Sequence, residues 1–156
     1  ESSSRAVTDE LLDDFFDAQE HSILVTSTRG TVTEGVDYDG EKLHTCAVFG
    51  IPIVNIGSPR MKAVIQAYGA TFGSENDFEY ALTVPAVRKA RQAIGRVIRG
   101  NEEVGTRVLV DERYTEDTFR SVNEHLAPQE QEEFQTMTSE FVKPALADFW
   151  SDHTDN

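Results

Sequence analysis

Gln92-Ala93-Ile94-Gly95-Arg96-Val97-Ile98-Arg99 sets a glutamine and two arginines at i, i+4 and i+7. At 3.6 residues per turn these three polar groups share one helix face, while Val87, Ala90, Ile94, Val97 and Ile98 lie toward the other. Guanidinium is permanently charged and matches phosphate oxygens in geometry. Two arginines one turn apart therefore suit the charge that builds on a transferring phosphoryl group. Gly95, directly before Arg96, lets a ligand approach the backbone closely. An arbitrary arginine pair is more often a solvated helix face, so the surroundings have to decide.

Charge is the first of those surroundings. The 156 residues include 28 Asp or Glu against 14 Lys or Arg, a formal net charge of -14. Yet no carboxylate occurs from Lys42 to Ser74 or from Tyr80 to Asn101, and these stretches hold Lys42, Arg60, Lys62, Arg88, Lys89, Arg91, Arg96 and Arg99. Stray negative charge would repel phosphate, so an acidic chain that keeps two segments free of it is read as protecting an anion site. Buried strands also exclude acids, which accounts for much of Cys46 to Ile56. Ten Arg against four Lys and a pI near 4.5 fit a protein kept soluble at high salt, where screening acts over ~3 Å at 1 M. A halophilic source is expected.

The length suits about one domain with a real core. Cys46, the single cysteine, excludes an intrachain disulfide framework and reads as an inert thiol between apolar neighbours. His21, His44, His125 and His153 have no metal-ligand spacing. No long apolar run and no signal-peptide core occur, so no membrane partner is expected and a cytoplasmic location is. The chain opens on Glu1 rather than Met, which suggests a fragment.

The elements that must position the arginines are read as follows. Thr8 is an N-cap candidate for a helix through Ala18, with Asp9 and Glu10 near its positive end and Leu11, Leu12, Phe15 and Phe16 as its stripe. Residues 22–27 read as a short buried strand, and Ala47 to Ile51 as a second that ends at Pro52. Ser58-Pro59 opens a helix reaching about Phe72; Pro85 opens the arginine helix, and Gly100 closes it. Thr106 to Val110 is a third strand. Phe141, Val142, Ala145, Leu146, Phe149 and Trp150 predict a terminal helix, interrupted by Pro144 and packed on the core. The order predicts an α/β domain with a mostly parallel sheet flanked by helices.

In such sheets ligands bind beyond the carboxyl ends of the strands, where Thr28 to Asp37 offers hydroxyls, Arg29, Gly30, Gly35, Glu34 and Asp37. Asp37 could accept from a ribose, and Thr and Gly amides could hold phosphate. The plainer alternative is that Asp37 caps a turn and Glu34 pairs with Arg29. Arg60 and Lys62, at a helix start, suit either a DNA phosphate or a solvated face.

Ser27-Thr28-Arg29-Gly30-Thr31-Val32-Thr33-Glu34-Gly35-Val36-Asp37-Tyr38 resembles motif V of the XPD-like superfamily 2 DNA helicases, and Gln92 to Arg99 matches their motif VI. Asp111-Glu112-Arg113-Tyr114, Glu75-Asn76-Asp77-Phe78 and Gly50-Ile51-Pro52 also fall in family order, so the resemblance runs from Thr8 to about Tyr114. It implies a RecA-like second motor domain over residues 1–126, followed by an acidic extension over residues 127–156. It further implies that Arg96 and Arg99 are arginine fingers for the γ-phosphate, with Gln92 as a coupling residue. Glu34, Gly35, Asp37 and Gly95 would lie toward the nucleotide, and Thr28, Arg29, Gly30 and Arg60 toward single-stranded DNA. Departures are Thr31 and Glu112 where the family usually has lysine, and Ile53 where it often has an aromatic.

The chain has no Gly-x-x-x-x-Gly-Lys-Ser/Thr loop, no Asp-Glu-x-His box and no four cysteines. ATP and Mg²⁺ are thus expected at a site shared with an N-terminal motor domain, and a 4Fe-4S cluster only in that other part. Polarity from 5′ to 3′ is implied by the family alone. Two rivals stand beside this reading: a nucleotide-binding or regulatory module without turnover, and an acidic interaction domain.

Overall fold

The computed structural model of the chain describes residues 5–28, 43–98, 100 and 103–154. Two strands, β1 (Thr45–Phe49) and β2 (Thr106–Val110), run parallel in the register Thr45↔Thr106 to Phe49↔Val110. Their β-branched residues suit a pleated ladder, and the Thr45 and Thr106 hydroxyls meet across it at 2.6 Å. Parallel neighbours require a crossover. Here it consists of α2 (Pro59–Phe72), a π-helical segment (Glu79–Thr83) and α3 (Val84–Ile94). The predicted α/β arrangement is present, with β2 at its expected bounds.

β1 begins and ends two residues earlier than expected. Gly50 adopts φ +75°, a left-handed conformation that stops the strand before Ile51, and its N–H closes the ladder on the Val110 carbonyl at 3.0 Å. The start of α2 is as expected: Ser58 Oγ accepts from the Met61 N–H at 3.2 Å, and Pro59 occupies the first turn, where its missing N–H costs nothing.

Three other expectations are corrected. α1 spans Arg5–Phe16, so Thr8 lies inside the helix instead of capping it. Residues 22–27 form no strand: Leu24 packs against Leu12, as Phe16 and Leu43 do, while Ile23 and Val25 are exposed with no ladder partner. Pro85 does not open a new helix, because helical backbone already runs from Asp77. Proline has no N–H for the carbonyl four residues back and its ring would strike it. The backbone widens just upstream, and the Val84 N–H bonds instead to the Glu79 carbonyl, five residues back.

α3 supplies half of the buried residues of the main core. Val87, Ala90, Ala93 and Ile94 pack with Val48 of β1 and with Tyr114, Val122 and Leu126 from the segment after β2. That segment continues into α4 (Pro128–Glu133) and α5 (Ser139–Thr154). α5 forms despite Pro144, and Trp150 meets the His44 ring edge-on at 5.5 Å. None of residues 139–153 is buried, so α5 touches the core region without entering it. No helix among the described residues is long and apolar enough to cross a membrane.

Candidate functional site

α3 runs antiparallel to the strands, and this fixes where its two ends lie. Its first turn, with Pro85 and Ala86, meets Pro52 and Val54 beyond the carboxyl end of β1. Its last turn reaches the amino ends: Val97 packs on Gly105, the residue before β2, beside the carbonyl of His44, the residue before β1. Eleven residues of α-helix separate these ends by about 16 Å. The arginine turn therefore lies at the opposite end of the sheet from Arg60.

The expected continuous face of Gln92, Arg96 and Arg99 is corrected. The α-helix stops at Ile94, with Gly95, not Gly100, as its cap. The Gly95 N–H bonds to the Arg91 carbonyl at 2.8 Å, and the Arg96 and Val97 N–H groups tighten to Ala93 and Ile94 at 3.3 Å. Gln92 is exposed on the last helical turn, whereas Arg96 is half-buried in the turn that follows. A side chain on Gly95 would place Cβ 2.9 Å from the Arg91 carbonyl oxygen, so the tight turn already uses its small size. Thr28 is half-buried. Arg99, Arg29, Gly30, Glu34, Gly35 and Asp37 lie outside the described residues.

The basic segments are less uniformly available than their composition implies. Arg91 Nε lies 2.6 Å from Glu130 Oε2, and the same carboxylate oxygen accepts from the Ala127 N–H at 2.8 Å to cap α4. On β2, Arg107 meets Glu133 at 2.5 Å and stands over the Phe134 ring. α4 thus ties the segment after residue 126 to α3 and to the sheet. Arg60 is exposed in the first turn of α2.

Asp111-Glu112-Arg113-Tyr114 closes on itself. Asp111 accepts from Arg113 Nε at 2.8 Å and Nη2 at 2.6 Å in a bidentate pair, and caps the short turn through the Arg113 N–H. The Arg113 hydrogen bonds hold the Asp111 carboxyl below the usual carboxylate range. Tyr114 is buried and its hydroxyl donates to the Gly50 carbonyl at 3.2 Å, which joins the ends of the two strands. Burial pushes its pKa from 10.0 to about 12. Burial also raises the half-buried Cys46 thiol, which disfavours the reactive thiolate.

Tyr114 makes a pH prediction with a definite sign. A phenol pKa raised in the folded state favours the neutral form there, so its contribution is complete below pH 10 and is lost as pH rises toward about 12. Tyr114→Phe is expected to cost ~1 kcal/mol at neutral pH through the lost hydrogen bond. It should also flatten the fall in stability over that alkaline window. Urea unfolding at stepped pH reads both effects, and an unchanged alkaline slope would refute the assignment.

Among the described residues, no group of three His, Cys, Asp or Glu could hold a metal ion. What the geometry offers is a half-buried arginine held just past a packed helix end, and a basic helix start at the other end of the sheet. Residues 1–143 match the Helicase C-terminal domain family, and the chain belongs to it. It is an XPD-like member with a RecA-like α/β fold.

The chain is 34% identical over 99 residues to the general transcription and DNA repair factor IIH helicase subunit XPD of Dictyostelium discoideum, covering 63% of this chain and 12% of that protein. It is 37% identical over 95 residues to the subunit XPD/RAD3 of Saccharomyces cerevisiae, covering 60% and 12%. It is 39% identical over 94 residues to the Schizosaccharomyces pombe subunit XPD, also covering 60% and 12%. The chain thus matches about an eighth of the length of these relatives.

Sequence reasoning missed Gly105 and Glu130. Gly105 stands directly before a strand whose bounds were legible, where a glycine can mark a close backbone approach. Glu130, three residues after Ala127 and two after Pro128, carried a helix-start signal that an acidic tail concealed.

Proposed function

We propose that this chain is the second motor half of an ATP-dependent DNA helicase, completing an ATP site with an N-terminal motor domain. The observation that carries this reading is Arg96, placed in a turn directly after the packed end of α3. Arg96 and Arg99 would approach the γ-phosphate as arginine fingers, with Gln92 beside them coupling nucleotide state to movement. Glu34, Gly35, Asp37 and Gly95 would lie toward the nucleotide. Thr28, Arg29, Gly30 and Arg60 would contact single-stranded DNA, with 5′ to 3′ movement as in the resemblance. The motor unit would comprise residues 1–126, with residues 127–156 as an extension fastened by Glu130 and Glu133.

The chemistry assigned to this half is electrostatic. A guanidinium held in place before reaction stabilises charge on the transferring phosphoryl oxygens without reorganising at the transition state. The phosphate cradle and the Mg²⁺ ligands belong to the N-terminal domain in this proposal, as does any iron-sulfur cluster. The test compares purified residues 1–156 with the full-length protein in a DNA-stimulated ATPase assay. No turnover is expected from the chain alone, and full turnover is expected from the whole protein. Robust hydrolysis by residues 1–156 would overturn the half-site assignment.

A further inference from the structure

A small cleft opens where α3 begins, at the opposite end of the sheet from Arg96. It has a volume of about 180 Å³ and is lined by Pro52, Val54, Met61, Ala81, Leu82, Pro85, Ala86 and Lys89. The loop after β1 and the first turn of α2 form one wall. The π-helical segment and the first turns of α3 form the other. Ala81 and Ala86 are small and buried, which leaves the floor open. Pro52, Pro85 and Met61 present flat or polarizable surfaces of the kind that packs against an aromatic ring.

Charge selects the occupant. None of the eight lining residues is acidic, in a chain whose formal net charge is -14. Lys89 lines the cleft, and exposed Arg60 and Lys62 flank Met61 in the first turn of α2. The Ser58-capped start of that helix adds positive potential. A ring-sized apolar slot with Lys89 in its lining, and two further exposed cations on the helical turn that forms its wall, matches a planar base joined to an anionic backbone. An uncharged aliphatic ligand would have no use for the cations.

We infer that this cleft is a slot for one unstacked base of single-stranded DNA, with Lys89, Arg60 and Lys62 serving the flanking phosphates. The inference rests on the DNA-contacting reading of this domain and adds a specific base-binding position to it. Stacking in such a slot tolerates any base, because every base has a π-face. It would hold the strand at a fixed place on α3 while the other end of that helix presents Arg96.

The test uses the full-length protein with short oligo(dT) carrying 5-iodo-deoxyuridine, cross-linked by ultraviolet light and mapped by mass spectrometry. Cross-links are expected at Met61 and on the 81–89 wall. Ala86→Leu, which fills the slot, should remove them by at least about tenfold, the scale of one stacked base. Met61→Ala, at a half-buried position, guards against a folding defect and should lower them by a similar factor. Arg60→Ala should weaken binding and reduce its salt dependence by about one phosphate while leaving the cross-link position unchanged. DNA bound and cross-linked only elsewhere, with Arg60→Ala still weakening it, overturns the slot but retains the DNA reading. Binding indifferent to Arg60→Ala, with no cross-link anywhere in this domain, overturns both.

Discussion

Arg96→Ala in the full-length protein is expected to lower DNA-stimulated ATP turnover by on the order of 10³, the range in which arginine fingers act. The loss should fall on kcat and on kcat/KM alike, because an interaction made chiefly in the transition state is being removed. Stability should change little: the buried anchors of this turn are Ala93, Ile94 and Val97, none of which is altered. Arg96→Lys should recover only part of the rate, since an ammonium keeps the charge without the planar fork. DNA binding without nucleotide should be unaffected, as Arg60 and its neighbours lie at the far end of α3. Full turnover by Arg96→Ala would reduce the arginine helix to a solvated face.

Gly105→Ala is expected to reach the same site indirectly. A Cβ on Gly105 would lie 2.2 Å from Val97 Cγ1 and 3.2 Å from the His44 carbonyl oxygen. Val97 is 4% exposed and adjoins Arg96, so relief requires the arginine turn to move. Overpacking of this kind costs ~1–3 kcal/mol, and a displacement of about 1 Å at a reacting centre costs on the order of 10² in rate. Thermal unfolding should therefore shift by a few degrees while turnover falls much further. Val97→Ala in the same chain removes the colliding methyl, so the pair should be strongly non-additive, with turnover partly restored. If Gly105→Ala destabilises the protein yet leaves turnover intact, this contact does not aim Arg96.

The sequence was legible wherever local chemistry decides the outcome. Ser58-Pro59 carries its own cap, and Thr106 to Val110 is a run of β-formers, so both elements lie where they were expected. The family and the α/β fold were readable from motif residues in order. Residues 22–27 carry the continuous apolar run Ile23-Leu24-Val25 that suits a buried strand, but a strand also needs a hydrogen-bonded neighbour, and without one only Leu24 turns inward while Ile23 and Val25 stay exposed. Pro85 was read by its common position, which conceals that helical backbone can pass through it when the turn before it widens. The end of α3 was placed five residues late because either glycine can terminate a helix, and only the tight approach to Arg91 selects Gly95. On the site itself, residue types pointed to Arg96, but the ion pairs that bind Arg91 and Arg107 to α4 join residues 39 and 26 positions apart. Such pairings depend on folding, and no local pattern encodes them.

The widened turn before Pro85 also sets a rule for how this helix can vary. Two buried pairs, Ala81-Leu82 and Ala86-Val87, stand five residues apart, and Ala81, Leu82 and Ala86 still line one cleft. On an unbroken α-helix a five-residue step would rotate the second pair by about 140° from the first after whole turns are removed. The extra residue therefore acts as a phase correction, bringing the upstream helix and α3 into alignment by residue count. Loss of one residue between Glu79 and Thr83 would leave a four-residue step, which an ordinary α-helical turn closes to within about 40°, so both pairs would keep one face once the turn narrowed. Pro85 opposes that narrowing, because its ring would then strike the carbonyl four residues back, whereas exchange of one side chain for another leaves the widened turn in place. Length in this segment is consequently tied to Pro85: a one-residue loss is expected to be tolerated only where the proline is exchanged with it.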